Sequence, residues 1–147
     1  MEPSRRTVLS GGILGLAAAC TSGARVAAPR VPTRDDLLRQ QAAVREEALL
    51  RMYNAALAAF PVLAPELGPL RDHHVQHRAA LGATVAVTET AAPALLGTTA
   101  AEARTRIAAL EKGTSQLHAK AALMAGRELA PLLASLAACE SSHAELL

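Results

Sequence analysis

An interior that must be built almost without aromatic rings is the constraint that most narrows how this chain can fold. Only Tyr53 and Phe60 are aromatic, yet 51% of the 147 residues are apolar. Ala and Leu supply most of the remainder and favour helix, while the β-branched and aromatic residues that favour strands are scarce. Such a chain has to bring helices close together through small side chains. Its length suits one domain with a true core, and the expected class is all-α.

Punctuation divides the chain into four helical segments. Thr33, with Asp35 and Asp36 behind it, is a helix start: a capping hydroxyl followed by acids at the positive end of the helix dipole. That helix is expected to run to about Phe60, where Pro61 and Pro65 interrupt it. Ala43, Leu50, Tyr53, Leu57 and Phe60 step by three and four along one stripe, with Glu46 inside it and Glu47 off it. A second helix is expected from near Ala64, with Pro65 in its first turn, to Gly82 as a left-handed cap. Leu63, Leu67, Leu70 and Leu81 mark its face, and His74 and His77 fill the gap, although His73 is equally placed to face inward.

Thr98 and Thr99 cap a third helix, with Glu102 completing a capping-box pattern, and Gly126 closes it. Ala103, Ile107, Leu110, Thr114, Leu117, Ala121 and Met124 form its stripe, and Gly113 weakens its middle enough to allow a local bulge. The fourth is expected from about Arg127 to the C-terminus, with Pro131 in its early turns. Leu129, Leu132, Leu133, Leu136 and Leu147 point inward, interrupted by Glu140 and His143. Gly82 to about Gly97 breaks the helical pattern, and roughly sixteen residues can span about 50 Å when extended. A helix of about nineteen residues is only ~30 Å long, so this link can cross from one end of a bundle to the other. Two tight connections around a long middle crossover describe a four-helix bundle.

The first nineteen residues read as an address. Arg5 and Arg6 precede a short apolar run, Gly11 to Ala19, about half of the ~20 residues a membrane span needs. The arginine pair resembles the twin-arginine export signal. Cys20 after Ala17, Ala18 and Ala19 resembles a bacterial lipoprotein processing site, although Leu16 stands one position earlier than that motif places it. Both resemblances imply an exported protein, lipid-anchored through Cys20 to the outer face of the cytoplasmic membrane and otherwise secreted. Residues 20–32, with a Ser, a Gly, two prolines and little periodicity, are then expected to form a tether, and 33–147 the bundle. With Cys20 lipidated, Cys139 is a lone thiol, expected as a small buried hydrophobe. Without the lipid, a Cys20–Cys139 disulfide is open.

The formal charge of +2 becomes about +1 once Glu2, Arg5 and Arg6 are removed, and acids and bases are interspersed. No basic stripe invites nucleic acid, and exposed aromatics for stacking bases are missing. No phosphate loop and no Gly-x-Ser-x-Gly elbow is present.

Chemistry concentrates where polar residues break the apolar stripes. Glu140-Ser-Ser-His143 puts both functional side chains on one helix face, His74-Val-Gln-His77 repeats that spacing, and Glu46 and Glu111 stand alone on helices one and three. His118 follows one turn beyond Thr114. In this pattern the chain resembles the ferritin-like family, whose metal site uses one Glu from each of two helices and a Glu-x-x-His from each of the others. The resemblance implies a metal set of Glu46, His74, His77, Glu111, Glu140 and His143, with iron or another transition metal as cofactor. The departure is His74, where the family has a bridging Glu; that favours a single Zn, Cu or Fe bound by imidazole and carboxylate. The exported, Ala-rich bundle is also similar to ferritin-like lipoproteins of actinobacteria. The expected function is a non-catalytic envelope module that binds a protein or small-molecule partner, with a homodimer allowed. The rival is a metal-binding oxidase or carrier.

Overall fold

The computed structural model describes residues 30–83 and 96–147. The expected export signal with Arg5 and Arg6, Cys20, the expected tether up to residue 29 and residues 84–95 of the expected crossover lie outside the described residues. Those described from Val31 onward form one unit, and it is all-helical: α1 (Arg34–Ala59), a 3-10 turn (Pro61–Leu63), α2 (Ala64–Leu81), α3 (Ala100–Met124) and α4 (Ala130–Leu146).

Local chemistry sets the boundaries. Thr33 caps α1 through a capping box with Asp36, and Thr99 caps α3 through one with Glu102. Phe60 leaves the helical region (φ −133°, ψ 73°) because Pro61 follows it, and the chain bends by 118° at that break. Gly82 closes α2 at φ +60°, its N–H reaching the Arg78 and Ala79 carbonyls. Two expectations on the later helices are corrected. α3 continues through Gly113 without interruption. α4 begins at Ala130, not near Arg127, because Gly126 O accepts from the Leu129 and Ala130 amides in a turn. Pro131 therefore occupies the first turn of α4, where its missing N–H leaves no bond unmade.

α1 packs on α2, α3 on α4, and α1 on α3. Their buried apolar residues form two separate clusters. Leu49, Met52, Tyr53, Ala56, Leu63, Leu67, Leu70, Ala103 and Ile107 form one. Leu38, Ala42, Ala43, Leu81, Ala121, Leu129, Leu133 and Leu136 form the other. The residues between them along each helix are polar: Glu46 on α1, His74 on α2, Glu111 and His118 on α3, Glu140 and His143 on α4. All are 0–2% exposed. A layer of carboxylates and imidazoles thus divides the core in two.

The inward face of α3 differs from the expected stripe. Leu117 and Met124 are 45% and 46% exposed, and His118 takes the inward position. Ala103, Ile107, Glu111, Thr114, His118 and Ala121 form the real line, shifted because the middle of this face is polar. On α1, Leu57 and Phe60 are only partly buried, while Leu49, Met52 and Ala56 carry the packing.

Candidate metal centre

His74 stands at the middle of the polar layer, on the inward line of α2 between Leu70 and Leu81. Its Nδ1 lies 2.8 Å from Glu46 Oε2 and its Nε2 lies 2.7 Å from Glu111 Oε1. Both partners are carboxylates, which accept when ionised, so the ring donates through both nitrogens and carries a positive charge. Burial pushes the imidazole down, but the hydrogen bonds to Glu111 and Glu46 outweigh it and raise it to about 9.

Glu111 is anchored by three groups on a single oxygen. Tyr53 donates its hydroxyl to Oε1 at 2.7 Å, His74 does so from α2, and His143 Nδ1 lies 3.2 Å away on α4. Burial alone would raise this carboxyl, yet those hydrogen bonds hold it below its ordinary value. The same burial and the charge of Glu111 raise the Tyr53 phenol, so it remains a donor. Glu111 Oε2 has no hydrogen-bond partner.

The second half is built around Glu46 and Glu140. His77 Nδ1 lies 3.3 Å from Glu46 Oε2, and His118 Nδ1 lies 2.9 Å and 3.0 Å from the two Glu140 oxygens. Two carboxyl groups this close in a dry interior cannot both ionise. Burial first, then the neighbouring Glu46 and its charge, push Glu140 up to about 11. Glu46 is opposed by burial but is held far below the ordinary carboxylate range by the hydrogen bond from His74 and by His77 and Glu140 beside it. Burial drives His118 down to about 4, so it is neutral and donates to Glu140 through Nδ1. Glu46 Oε1 is buried without a hydrogen-bond partner, with His118 Nδ1 3.8 Å away.

All six residues read from the sequence as a metal set converge. Glu46, His74, His77 and Glu140 present ligand atoms within 4.8 Å of one another, as do His74, Glu111 and His143. His74 belongs to both groups. The choice left open between His73 and His74 resolves into different roles: His74 is fully buried, whereas His73 sits at the surface with Nδ1 2.9 Å from His143 Nε2.

Three members of the layer were not read as ligands from the sequence. His118 had its spacing from Thr114 as a signal. Tyr53 was placed only as packing. Cys139 was expected as an inert buried thiol; it is free and half-buried, 3.4 Å from His143 Nε2. Burial, then the negative charges of Glu111 and Glu46, raise that thiol.

Among the described residues the fold and site define a class: an all-helical bundle with a buried carboxylate–imidazole layer fed by all four helices. No protein-family model matches the chain, and neither a curated protein nor a solved structure matches it.

Proposed function

We propose that this protein binds a transition-metal cation within the bundle, held by Glu46, His74, His77 and Glu140. The observation that carries the reading is the convergence of ligand atoms of Glu46, His74, His77 and Glu140 within 4.8 Å of one another, with Glu46 Oε1 buried there and left without a hydrogen-bond partner. A polar cluster that served only to hold helices together would close on itself, because each unpaired buried polar atom costs about 1–3 kcal/mol. Here a protonated Glu140 lies beside an ionised Glu46, and a cation would displace the Glu140 proton and the His74 Nδ1 proton, both of which leave to solvent. Carboxylate oxygens with imidazole nitrogens suit iron, zinc or copper. This reading places the metalloprotein ahead of the partner-binding module expected from the sequence.

The ferritin-like assignment belongs to the same proposal. Its support is the order in which helices meet the two apolar clusters. α2 starts beside Leu63 and ends beside Leu81, and α3 starts beside Ala103 and ends beside Ala121, so both run from the first cluster to the second. The Arg104–Glu66 ion pair at their starts agrees (2.9 Å). Two consecutive helices running the same way require a connection that returns the length of the bundle, as in ferritin-like connectivity. The twin-arginine signal and lipid on Cys20 complete the proposal: a folded metalloprotein exported and anchored on the outer face of the cytoplasmic membrane. Among the described residues no single helix is long and apolar enough to cross a membrane.

The test is elemental analysis of the purified chain after growth in metal-replete medium. About one equivalent of a transition metal is expected, and it should vanish in Glu46→Gln and His77→Ala variants that keep their helical circular dichroism. Substoichiometric metal, or metal indifferent to both changes, would overturn the reading.

A further inference from the structure

The buried layer reaches the surface beside His143, and the donors there differ from those inside. His143 is 2% exposed, Cys139 half-buried and His73 exposed, so the three form a line from interior to solvent. His143 has two faces. Its Nδ1 is engaged with Glu111, which leaves Nε2 directed outward to His73 Nδ1 at 2.9 Å and Cys139 Sγ at 3.4 Å. All three potential ligand atoms lie within 4.8 Å of one another.

Metal–nitrogen bonds of ~2.0–2.1 Å and a metal–sulfur bond of ~2.3 Å place tetrahedral donors about 3.3 Å (N to N) and about 3.6 Å (N to S) apart. The observed separations, 2.9 and 3.4 Å, need only a small spreading to admit an ion. His73 is on α2 whereas Cys139 and His143 are on α4, so the pocket joins two helices that belong to different hairpins.

We infer that His73, Cys139 and His143 form a second, peripheral site for a thiophilic cation of the Cu(I) type. Two imidazoles and one thiolate make a softer donor set than the carboxylate-rich interior, so the two sites select different metals. Binding forms a sulfur–metal bond as the Cys139 thiol proton leaves to solvent, with no change of oxidation state. The site needs no cation in the interior, since none of its donor atoms is one that the interior cation would use.

The test is anaerobic titration of the full chain with Cu(I) against a chromophoric Cu(I) chelator. One equivalent is expected to bind, and Cys139→Ser or His73→Ala should each weaken it by more than about 100-fold, beyond the 10–100-fold typical of losing an outer-shell partner. Glu140→Gln, which removes an interior ligand, should leave Cu(I) affinity unchanged. Equal affinity in wild type and Cys139→Ser would overturn the inference, as would absence of Cu(I) binding. Loss of Cu(I) in Glu140→Gln with retention in Cys139→Ser would place the ion in the interior and also defeat it. Because the interior reading is judged by Glu46 and His77 variants and the peripheral one by Cys139 and His73 variants, each can fail without the other.

Discussion

Replacing Glu140 by Gln should make the metal-free protein more stable at neutral and alkaline pH while removing its metal. In the folded chain Glu140 is held protonated up to about 11, against an ordinary value of 4.5. A carboxyl whose folded pKa is raised must take up a proton on folding, so its contribution to stability is lost as pH climbs from 4.5 towards 11. Each pH unit in that window costs at most about 1.4 kcal/mol. At pH 8 the ceiling is therefore about 5 kcal/mol, and the expected gain for the amide is about 2–5 kcal/mol. Gln reproduces the shape and the hydrogen bond: its oxygen accepts from His118 Nδ1, and its NH2 faces Glu46 without a charge, as the protonated carboxyl does. Urea unfolding of the metal-free chain, followed by helical circular dichroism from pH 5 to 8, gives the comparison. The gap between Gln and Glu should be near zero at pH 5 and widen steadily. A variant less stable than wild type by more than about 1 kcal/mol at pH 8 would mean that Glu140 is ionised in the fold, and the reasoning would fail.

Three further outcomes follow from the same geometry. In the Gln background, the pH dependence that remains above pH 6.5 belongs chiefly to His74. Its folded pKa is raised to about 9, so its contribution is complete below 6.5 and lost as pH rises through 9; metal-free stability should fall by at most about 1.4 kcal/mol per pH unit there, and a rise would contradict the assignment. Tyr53→Phe removes the hydroxyl that donates to the ionised Glu111 at 2.7 Å and should cost about 1.5–3 kcal/mol in urea unfolding, with no loss of metal stoichiometry. Cys20→Ser should release the protein from membranes on cell fractionation, and continued membrane association would defeat the anchor.

Much of the backbone was legible because its signals are local. A capping hydroxyl with an acid three residues on, at Thr33 and Thr99, marks a helix start whatever it packs against, and Pro61 and Gly82 mark ends for equally local reasons. Five of the site residues could be read as interruptions of apolar stripes, since Glu46, His74, His77, Glu140 and His143 all fall on lines otherwise made of apolar residues.

α3 was harder because its buried face is polar. Its inward face carries Glu111, Thr114 and His118, so apolarity pointed to Leu117 and Met124, which face outward. Periodicity finds a buried face only where burial and apolarity coincide. The contact of Cys139 with His143 could be suspected from their four-residue spacing, but His73 comes from another helix, and no local pattern carries that pairing. The separate fates of His73 and His74 also depend on tertiary packing: a ring adjacent in sequence points about 100° away on a helix, and His74 is the one enclosed by Glu46 and Tyr53 of α1 and Glu111 of α3.

Anomalous diffraction from crystals of the metal-loaded protein, recorded at the absorption edge of the bound element, bears most directly on whether the polar layer is a metal site. The account predicts one strong peak enclosed by Glu46, His74, His77 and Glu140, at bond lengths of roughly 2.0–2.2 Å. Peaks confined to the outer surface, with none enclosed by these four residues at full metal loading, would contradict it.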